Sequence, residues 1–310
     1  MNTLPEKPQP VYAVLDVAKA TLQHHLQSRQ CALPNTAPGH AQGLKLLRAV
    51  PGAHVVCEAT GGYERAAVAA LQAAGVPVSV VNPARVRHFA HAQGRRAKND
   101  PIDAAVLTAF GQALAPAPTP VLDTALAELR DLVRWRQHLQ EQLVATGNRT
   151  EHLATKFVAR QQAQLVRQLE KQVAAVEAEL AAALARSPHW QAQIAKLDAL
   201  DGVGMITAVG TLSQMPELGR LSRRQAAALA GLAPWTRQSG PWEGQRHIGG
   251  GRAEIRRGLY MAAVAVARMK HTVLGQFYAR LRAAGKPAKV ALTAVMRKLL
   301  LQMNHVLKPA

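Results

Sequence analysis

The chain has 310 residues, 48% of them apolar, with 38 Lys and Arg against 19 Asp and Glu and a formal net charge of +19. That length suits about two domains with sizeable cores, and a positive excess spread along the chain points to a polyanion, with DNA and RNA ahead of an anionic membrane. No apolar run approaches the ~20 residues of a spanning helix and no signal segment opens the chain, while two distant cysteines, Cys31 and Cys57, form neither a zinc signature nor a disulfide framework and suit a reducing cytoplasm.

After a proline-bearing start, VYAVLDVAK (Val11–Lys19) has the Val-rich apolar pattern of a buried strand. ATLQHHLQSRQCALPN reads as two further strands of a hairpin whose turn is unmarked, and Pro38 to Val50 as a helix. HVVCEAT (His54–Thr60) is a second buried strand ended by Gly61-Gly62. An amphipathic helix, YERAAVAALQAAG, ends at Gly75, and VPVSVVNP (Val76–Pro83) is a third apolar strand. This alternation predicts an α/β domain over residues 11–113. Prolines at alternate positions between Ala113 and Asp123 predict a stiff extended linker over residues 114–122. Leu126, Leu129, Leu132, Leu139 and Leu143, then Leu165, Leu169, Val173, Val176, Leu180 and Leu184, recur at spacings of three, four and seven with a break between the sets. That period predicts a coiled coil or helical hairpin over residues 123–187, with packing inside one chain and dimerisation equally open. Pro188 closes the tract, and residues 188–310 read as a mainly helical domain punctuated by Gly and Pro.

Acids are scarce in this chain, so their positions carry information. Asp16 lies inside the first apolar run, where an unpaired carboxylate costs several kcal/mol. Glu58 interrupts the second run just before its Gly turn, so both acids stand near strand ends, where open α/β sheets form ligand crevices. In KNDPIDAA, Asp100 and Asp103 are three apart and share a helix face. Taken singly, Asp100 before Pro101 is a natural N-cap and Asp103 suits a first helical turn. Taken together, the four acids can gather around Mg²⁺, or Mn²⁺ in its place, whose hard oxygen ligands leave room for phosphate and water. The basic residues just ahead, Arg85, Arg87, Arg95, Arg96 and Lys98, are either phosphate contacts or a solvated face.

LDALDGVGMITAVGTL (Leu197–Leu212) sets Gly202 and Gly204 between two apolar helices. The pattern resembles a helix-hairpin-helix element, whose backbone amides meet a phosphate, and equally a plain packed turn. In RQSGPWEGQRHIGGGRAEIRR, Ser239 sits on a turn before Gly240-Pro241, surrounded by Arg237, Arg246, Arg252, Arg256 and Arg257. Guanidinium forks match phosphate oxygens, so this surrounding suits phosphoryl transfer better than acyl chemistry. His247 is able to move protons, but nothing in the sequence brings it to Ser239.

AVLDVAK, VCEATGGY, KNDPIDA and GLAP…SG…RHIGGGRAEIRRGLYMAA, in this order, resemble the DEDD transposases of insertion sequences, RNA-guided serine recombinases related to the pilin-gene invertase. The resemblance runs from about Val11 to about Leu300. It implies a RuvC-like (RNase H-like) N-terminal domain, a coiled coil and a C-terminal transposase domain. It makes Asp16, Glu58, Asp100 and Asp103 the Mg²⁺ ligands, and Ser239 the nucleophile that forms a covalent phosphoserine link to DNA. The implied partners are donor and target DNA, a structured non-coding guide RNA, and further copies of the chain, as dimers pairing into a tetramer. The setting is the prokaryotic cytoplasm, at the nucleoid, with no membrane. The competing enzyme is a metal-dependent nuclease or junction resolvase in which water replaces the serine. A non-catalytic nucleic-acid binder is the third reading.

Overall fold

The computed structural model describes residues 10–26, 29–95, 100–121, 123–149, 155–236, 238–239 and 242–309, except the side chains of residues 100–102 and 242–243. The chain divides into two compact units, Met1–Val121 and Leu122–Ala310.

The first unit runs β1 (Val11–Val17), β2 (Thr21–Leu26), β3 (Arg29–Pro34), α1 (Ala37–Arg48), β4 (Ala53–Glu58), α2 (Arg65–Ala73), β5 (Val78–Val81), α3 (Pro83–Ala92) and α4 (Asp100–Leu114). Its sheet has the order β3-β2-β1-β4-β5. The β1-β2-β3 half is an antiparallel meander, and β1, β4 and β5 are parallel. A strand's side chains alternate between faces, so β1 serves two cores at once. Ala13, Leu15 and Val17 join Val55, Cys57 and the α1 and α2 residues Leu47, Val68 and Leu71. Tyr12 and Val14 join Val56, Val86 of α3 and Ala104, Leu107 and Phe110 of α4. Covering on both faces explains why β1 and β4 read as nearly unbroken apolar runs.

The proline-rich segment lies along the outer edge of β5. Val80 N donates to Thr119 Oγ1 (2.8 Å), Thr119 N to the Val78 carbonyl (2.7 Å) and Gln72 Nε2 to the Thr119 carbonyl (2.8 Å). The Ser79 hydroxyl faces the carbonyls of Pro116 and Ala117 and lies 2.8 Å from His54 Nε2. An extended segment with few free amides thus covers an edge that would otherwise pair with another chain.

The second unit opens with α5 (Thr124–Gly147) and α6 (Lys156–Ala185). They run antiparallel as a hairpin: Arg136 reaches Glu177 at 2.6 Å, Arg186 reaches Glu128 at 2.7 Å, and Gln162 donates to the Thr146 carbonyl. The expected leucine stripe is buried along part of its length. Leu126, Leu129, Leu180 and Leu184 enter the unit's core and Leu139 and Leu169 are buried farther along the hairpin, whereas Leu165, toward the far end, is 46% exposed. The rest is α7 (Pro188–Asp198), α8 (Met205–Gln214), α9 (Arg223–Leu229), the short strands β6 (Pro234–Trp235), β7 (Gln238–Ser239), β8 (Trp242–Glu243) and β9 (His247–Ile248), then α10 (Ala253–Arg268), α11 (Val273–Ala283) and α12 (Ala288–Val306). One hydrophobic core joins the hairpin base to α7, α8, α9, α10 and α12. Asn304 on α12 ties the loop before α9 into it, accepting from Gly219 N (3.0 Å) and donating to the Leu221 carbonyl (2.9 Å).

His24 on β2 lies so close under α1 that a Cβ on Gly43 would meet its ring at 2.5 Å. Its Nε2 is buried without a hydrogen-bond partner. Burial first, then the neighbouring charges of His25 and His40, lower its pKa from 6.5 to about 4. The proton is therefore taken up by the unfolded chain before the folded one. Stability from this residue is complete above pH 6.5 and falls away as the pH drops toward 4, by about 3 kcal/mol at the limit. Urea unfolding at about pH 7 and about pH 5 should show this loss in the native chain and a smaller loss in His24→Leu.

Candidate active site

Two of the four acids named in the sequence, Asp16 and Glu58, come to one end of one face of the sheet. Leu15 pairs with Cys57 across β1 and β4, and both belong to the α1/α2 core. The next residue on each strand, Asp16 and Glu58, therefore turns to the opposite face, which α3 and α4 cover. Both are half-buried. Helix α4 packs on this face, with Gly111 against the Tyr12 ring, where a Cβ would meet it at 2.8 Å. Asp103 is half-buried on this helix, one turn before Leu107 on the stripe that packs on the sheet. Asp100 begins the same helix, but its side chain lies outside the described residues.

Carboxylate oxygens at this place are hard donors of the type Mg²⁺ takes, and the ion needs only one or two of them beside phosphate and water. Asp16 also has no hydrogen-bond or ion-pair partner among the described residues. The donor chemistry fits the ion, although no group of three His, Cys, Asp or Glu among the described residues stands close enough to hold a metal. Cys57, next to Glu58 on β4 but facing the α1/α2 core, is not a candidate ligand. Burial, then the charges of Glu64 and Glu58, push its thiol up to about 12.

Two residues that the sequence reading passed over hold the loops at this end. After β4 the chain turns at Gly61 and Gly62, whose φ values of +64° and +106° are left-handed and favour glycine. The buried Glu64 closes that turn, its Oε2 accepting from Thr60 N (3.0 Å) and Gly62 N (2.9 Å). Asn35 bridges the neighbouring loops, its Nδ2 donating to the Ala18 carbonyl (3.0 Å) beyond Asp16 and to the Tyr63 carbonyl (3.1 Å). His40 Nε2 lies 2.8 Å from Asn35 Oδ1, and burial lowers the His40 pKa. An acid at the boundary of α2 was the visible signal for Glu64; Asn35 carried none.

The serine lies in the second unit. Ser239 is exposed on β7, paired with Trp242 across a two-residue ladder. Its arginine surroundings separate by task. Arg252 forks onto Glu217, with two bonds of 2.8 Å, and also reaches the Gln214 carbonyl at 2.8 Å. Burial raises the Glu217 pKa, but the Arg252 hydrogen bond and charge, with a backbone bond, outweigh it and lower the net value. Arg256 donates to the carbonyls of Ala230 (3.0 Å) and Gly250. These two arginines, expected at phosphate, are held by protein acceptors and clamp the base of the β6–β9 segment. Arg246 is exposed, and Arg257 is exposed with only a loose 3.4 Å contact to Glu141. Arg237 lies outside the described residues.

The remaining basic candidates divide likewise. Arg85, Arg87 and Arg95 are exposed, with Arg85 over the Phe110 ring at 5.6 Å; Arg96 and Lys98 lie outside the described residues. Gly202 has φ +74°, and a Cβ there would meet Val266 Cγ2 at 2.3 Å, so close packing on α10 requires this glycine. Gly204 has open space around it at the start of α8.

Glu64→Ala should leave the amides of Thr60 and Gly62 without their acceptor and destabilise the first unit by about 1–3 kcal/mol. Hydrogen exchange should report faster exchange at those two amides, with the amides of β1 little changed at conditions favouring local opening.

Residues 13–158 match the DEDD transposase model of the IS110 group, and residues 194–279 match the model of the transposase IS116/IS110/IS902 family. The chain is 28% identical over 307 residues to the pilin gene-inverting protein of Moraxella bovis, with 93% of each chain covered. It is 28% identical over 302 residues to the pilin gene-inverting protein of Moraxella lacunata, again with 93% of each covered. Both halves of the chain answer to models of one family, in order and around the strands and glycines described above. The protein belongs to the IS110 family of DEDD transposases and recombinases, enzymes that process DNA.

Proposed function

We propose that this chain is an RNA-guided recombinase that moves an insertion sequence through a covalent phosphoserine–DNA intermediate. The observation that carries the reading is that Asp16 and Glu58 stand side by side at one end of the sheet in a strongly basic chain that matches the transposase models. The antiparallel meander extended by two parallel strands supports an RNase H-like, RuvC-type domain. In this reading residues 11–113 bear the acids, 114–122 link, 123–187 serve assembly as a coiled coil, and 188–310 form the serine transposase domain. The exposed Arg246 and Arg257 face the DNA backbone; Arg85, Arg87 and Arg95 form a second basic contact. A structured guide RNA reads sequence while the protein reads backbone shape. Copies of the chain pair as dimers and then as a tetramer, in the prokaryotic cytoplasm.

Asp16, Glu58, Asp100 and Asp103 would hold Mg²⁺, or Mn²⁺ in its place. When bound, the ion polarises a phosphate oxygen and favours the serine alkoxide. Ser239 Oγ gives up its proton and attacks phosphorus. The Oγ–P bond forms, the P–O3′ bond breaks, and the departing 3′ oxygen takes a proton. A 3′-hydroxyl of the partner strand then attacks the phosphoserine, and Ser239 regains its proton. The bond energy is conserved in the covalent link, so rejoining needs no ATP. Arg246 and Arg257 neutralise the charge that grows on the phosphate oxygens.

Protein purified with its co-expressed flanking RNA, mixed with labelled donor and target DNA and Mg²⁺, should give a covalent adduct on a denaturing gel. Ser239→Ala should abolish the adduct. Cleavage without an adduct in either protein would assign the attack to water and the chain to the metal-dependent nucleases. Asp16→Ala should lose recombination by more than about 100-fold while RNA binding, measured by filter retention, is unchanged. Retained recombination would remove Asp16 from the metal set.

A further inference from the structure

The short ladder of β6 and β9 holds a large aromatic surface outside any core. Trp235 is 66% exposed and Ile248 38% exposed, and Pro234 and His247 beside them are exposed too. Two strands of two residues are not stable alone in water. The base of this ribbon is nevertheless firmly held. Arg256 donates to the Ala230 and Gly250 carbonyls, Arg252 N donates to the Leu229 carbonyl (2.8 Å), and Gly231 and Gly251 pack backbone to backbone. The Trp235 ring is also oriented: its Nε1 donates to the Gly249 carbonyl at 3.3 Å, and its backbone pairs with His247. That bond engages the ring edge, and the high exposure leaves ring surface open to a partner. Arg246, next to the ladder, is exposed and has no ion pair among the described residues.

An oriented, exposed indole and an exposed guanidinium next in sequence to its ladder partner are together complementary to a nucleotide: the ring stacks on a base and the cation meets its phosphate. A base inside a duplex is covered on both faces by its neighbours, so the fitting partner is an unpaired base. We propose that Trp235 is a positioning residue that stacks on an unpaired base of the DNA strand whose phosphate Ser239 attacks, with Arg246 on an adjacent phosphate. The assignment of the strand rests on the recombinase reading above; the stacking surface itself does not. Three residues lie between Trp235 and Ser239, so their Cα atoms lie at most about 14 Å apart. That reach keeps the stacked base within a few nucleotides of the attacked phosphate. Opening of the strand ends during exchange supplies such bases, and stacking one of them would keep the freed end in register for rejoining.

The test compares full-length native protein with Trp235→Ala and Trp235→Phe, using fluorescence anisotropy on a short labelled DNA single strand, the matching duplex and an RNA strand of the same sequence. Stacking predicts that Trp235→Ala weakens single-stranded DNA binding by about 5- to 150-fold and duplex binding by less than about twofold, with Trp235→Phe retaining most of the affinity. The salt dependence of single-strand binding should be unchanged, since no phosphate contact is lost. Equal loss on single strand and duplex, or no loss on either, overturns the proposal. A larger loss on RNA than on DNA moves the occupant to the guide and overturns the DNA assignment. Thermal unfolding of both variants should match the native protein, because the ring is exposed; a lowered midpoint in Trp235→Ala with a normal Trp235→Phe leaves the Phe comparison with Trp as the deciding one. A missing phosphoserine adduct together with an intact Trp235 effect rejects the nucleophile reading and keeps the stacking surface.

Discussion

A strand buried on both faces is the constraint on which the first unit depends. β1 must supply apolar side chains to two cores in alternation, and it pairs antiparallel on one side and parallel on the other. Such a strand tolerates a carboxylate only where burial ends. Asp16 is at that point, with Val17 still buried on the other face. The same limit applies to Glu58 on β4. Because the two strands are parallel and in register, their permitted positions coincide. A pair of acids at this end of the sheet therefore follows from how the sheet is covered.

The loops at this corner are held by groups with no share in the proposed chemistry. Glu64 fixes the Gly-Gly turn through two amides, and Asn35 ties the loop after β1 to the loop before α2. Side-chain hydrogen bonds to backbone hold such loops in place where few apolar atoms reach.

In the second unit the division among the arginines is decided by acceptors. Glu217, the Gln214 carbonyl and the carbonyls around Gly250 hold Arg252 and Arg256, which anchors an exposed serine-bearing segment to the helical core. Arg246 and Arg257, six residues and one residue from a clamped neighbour, are left at the surface. A field of guanidiniums that looks uniform in sequence is thus part scaffold and part exposed charge.

How much of this was legible beforehand depended on the range of the interaction. The strands, the helices and the four acids follow from local alternation, Gly and Pro punctuation and the rarity of carboxylates, because each is set by a few neighbouring residues. The hairpin α5–α6 was legible as a period, but burial of Leu129 and exposure of Leu165 were not, since a leucine stripe does not say where its partner surface stops. Gly202, equally open in the sequence to a phosphate-binding hairpin and a packed turn, has a packing reason in Val266, more than sixty residues on. Asn35, His24 and the clamped arginines were invisible for the same reason: a polar side chain's role is set by which acceptor or cavity the folded chain brings to it. The sequence by itself determined the alternation of elements and the inventory of acids, serine and cations. Only the tertiary structure decided that Asp16 and Glu58 share one end of the sheet, which arginines are already bound, and that Trp235 stands exposed, because those depend on contacts between residues far apart in the chain.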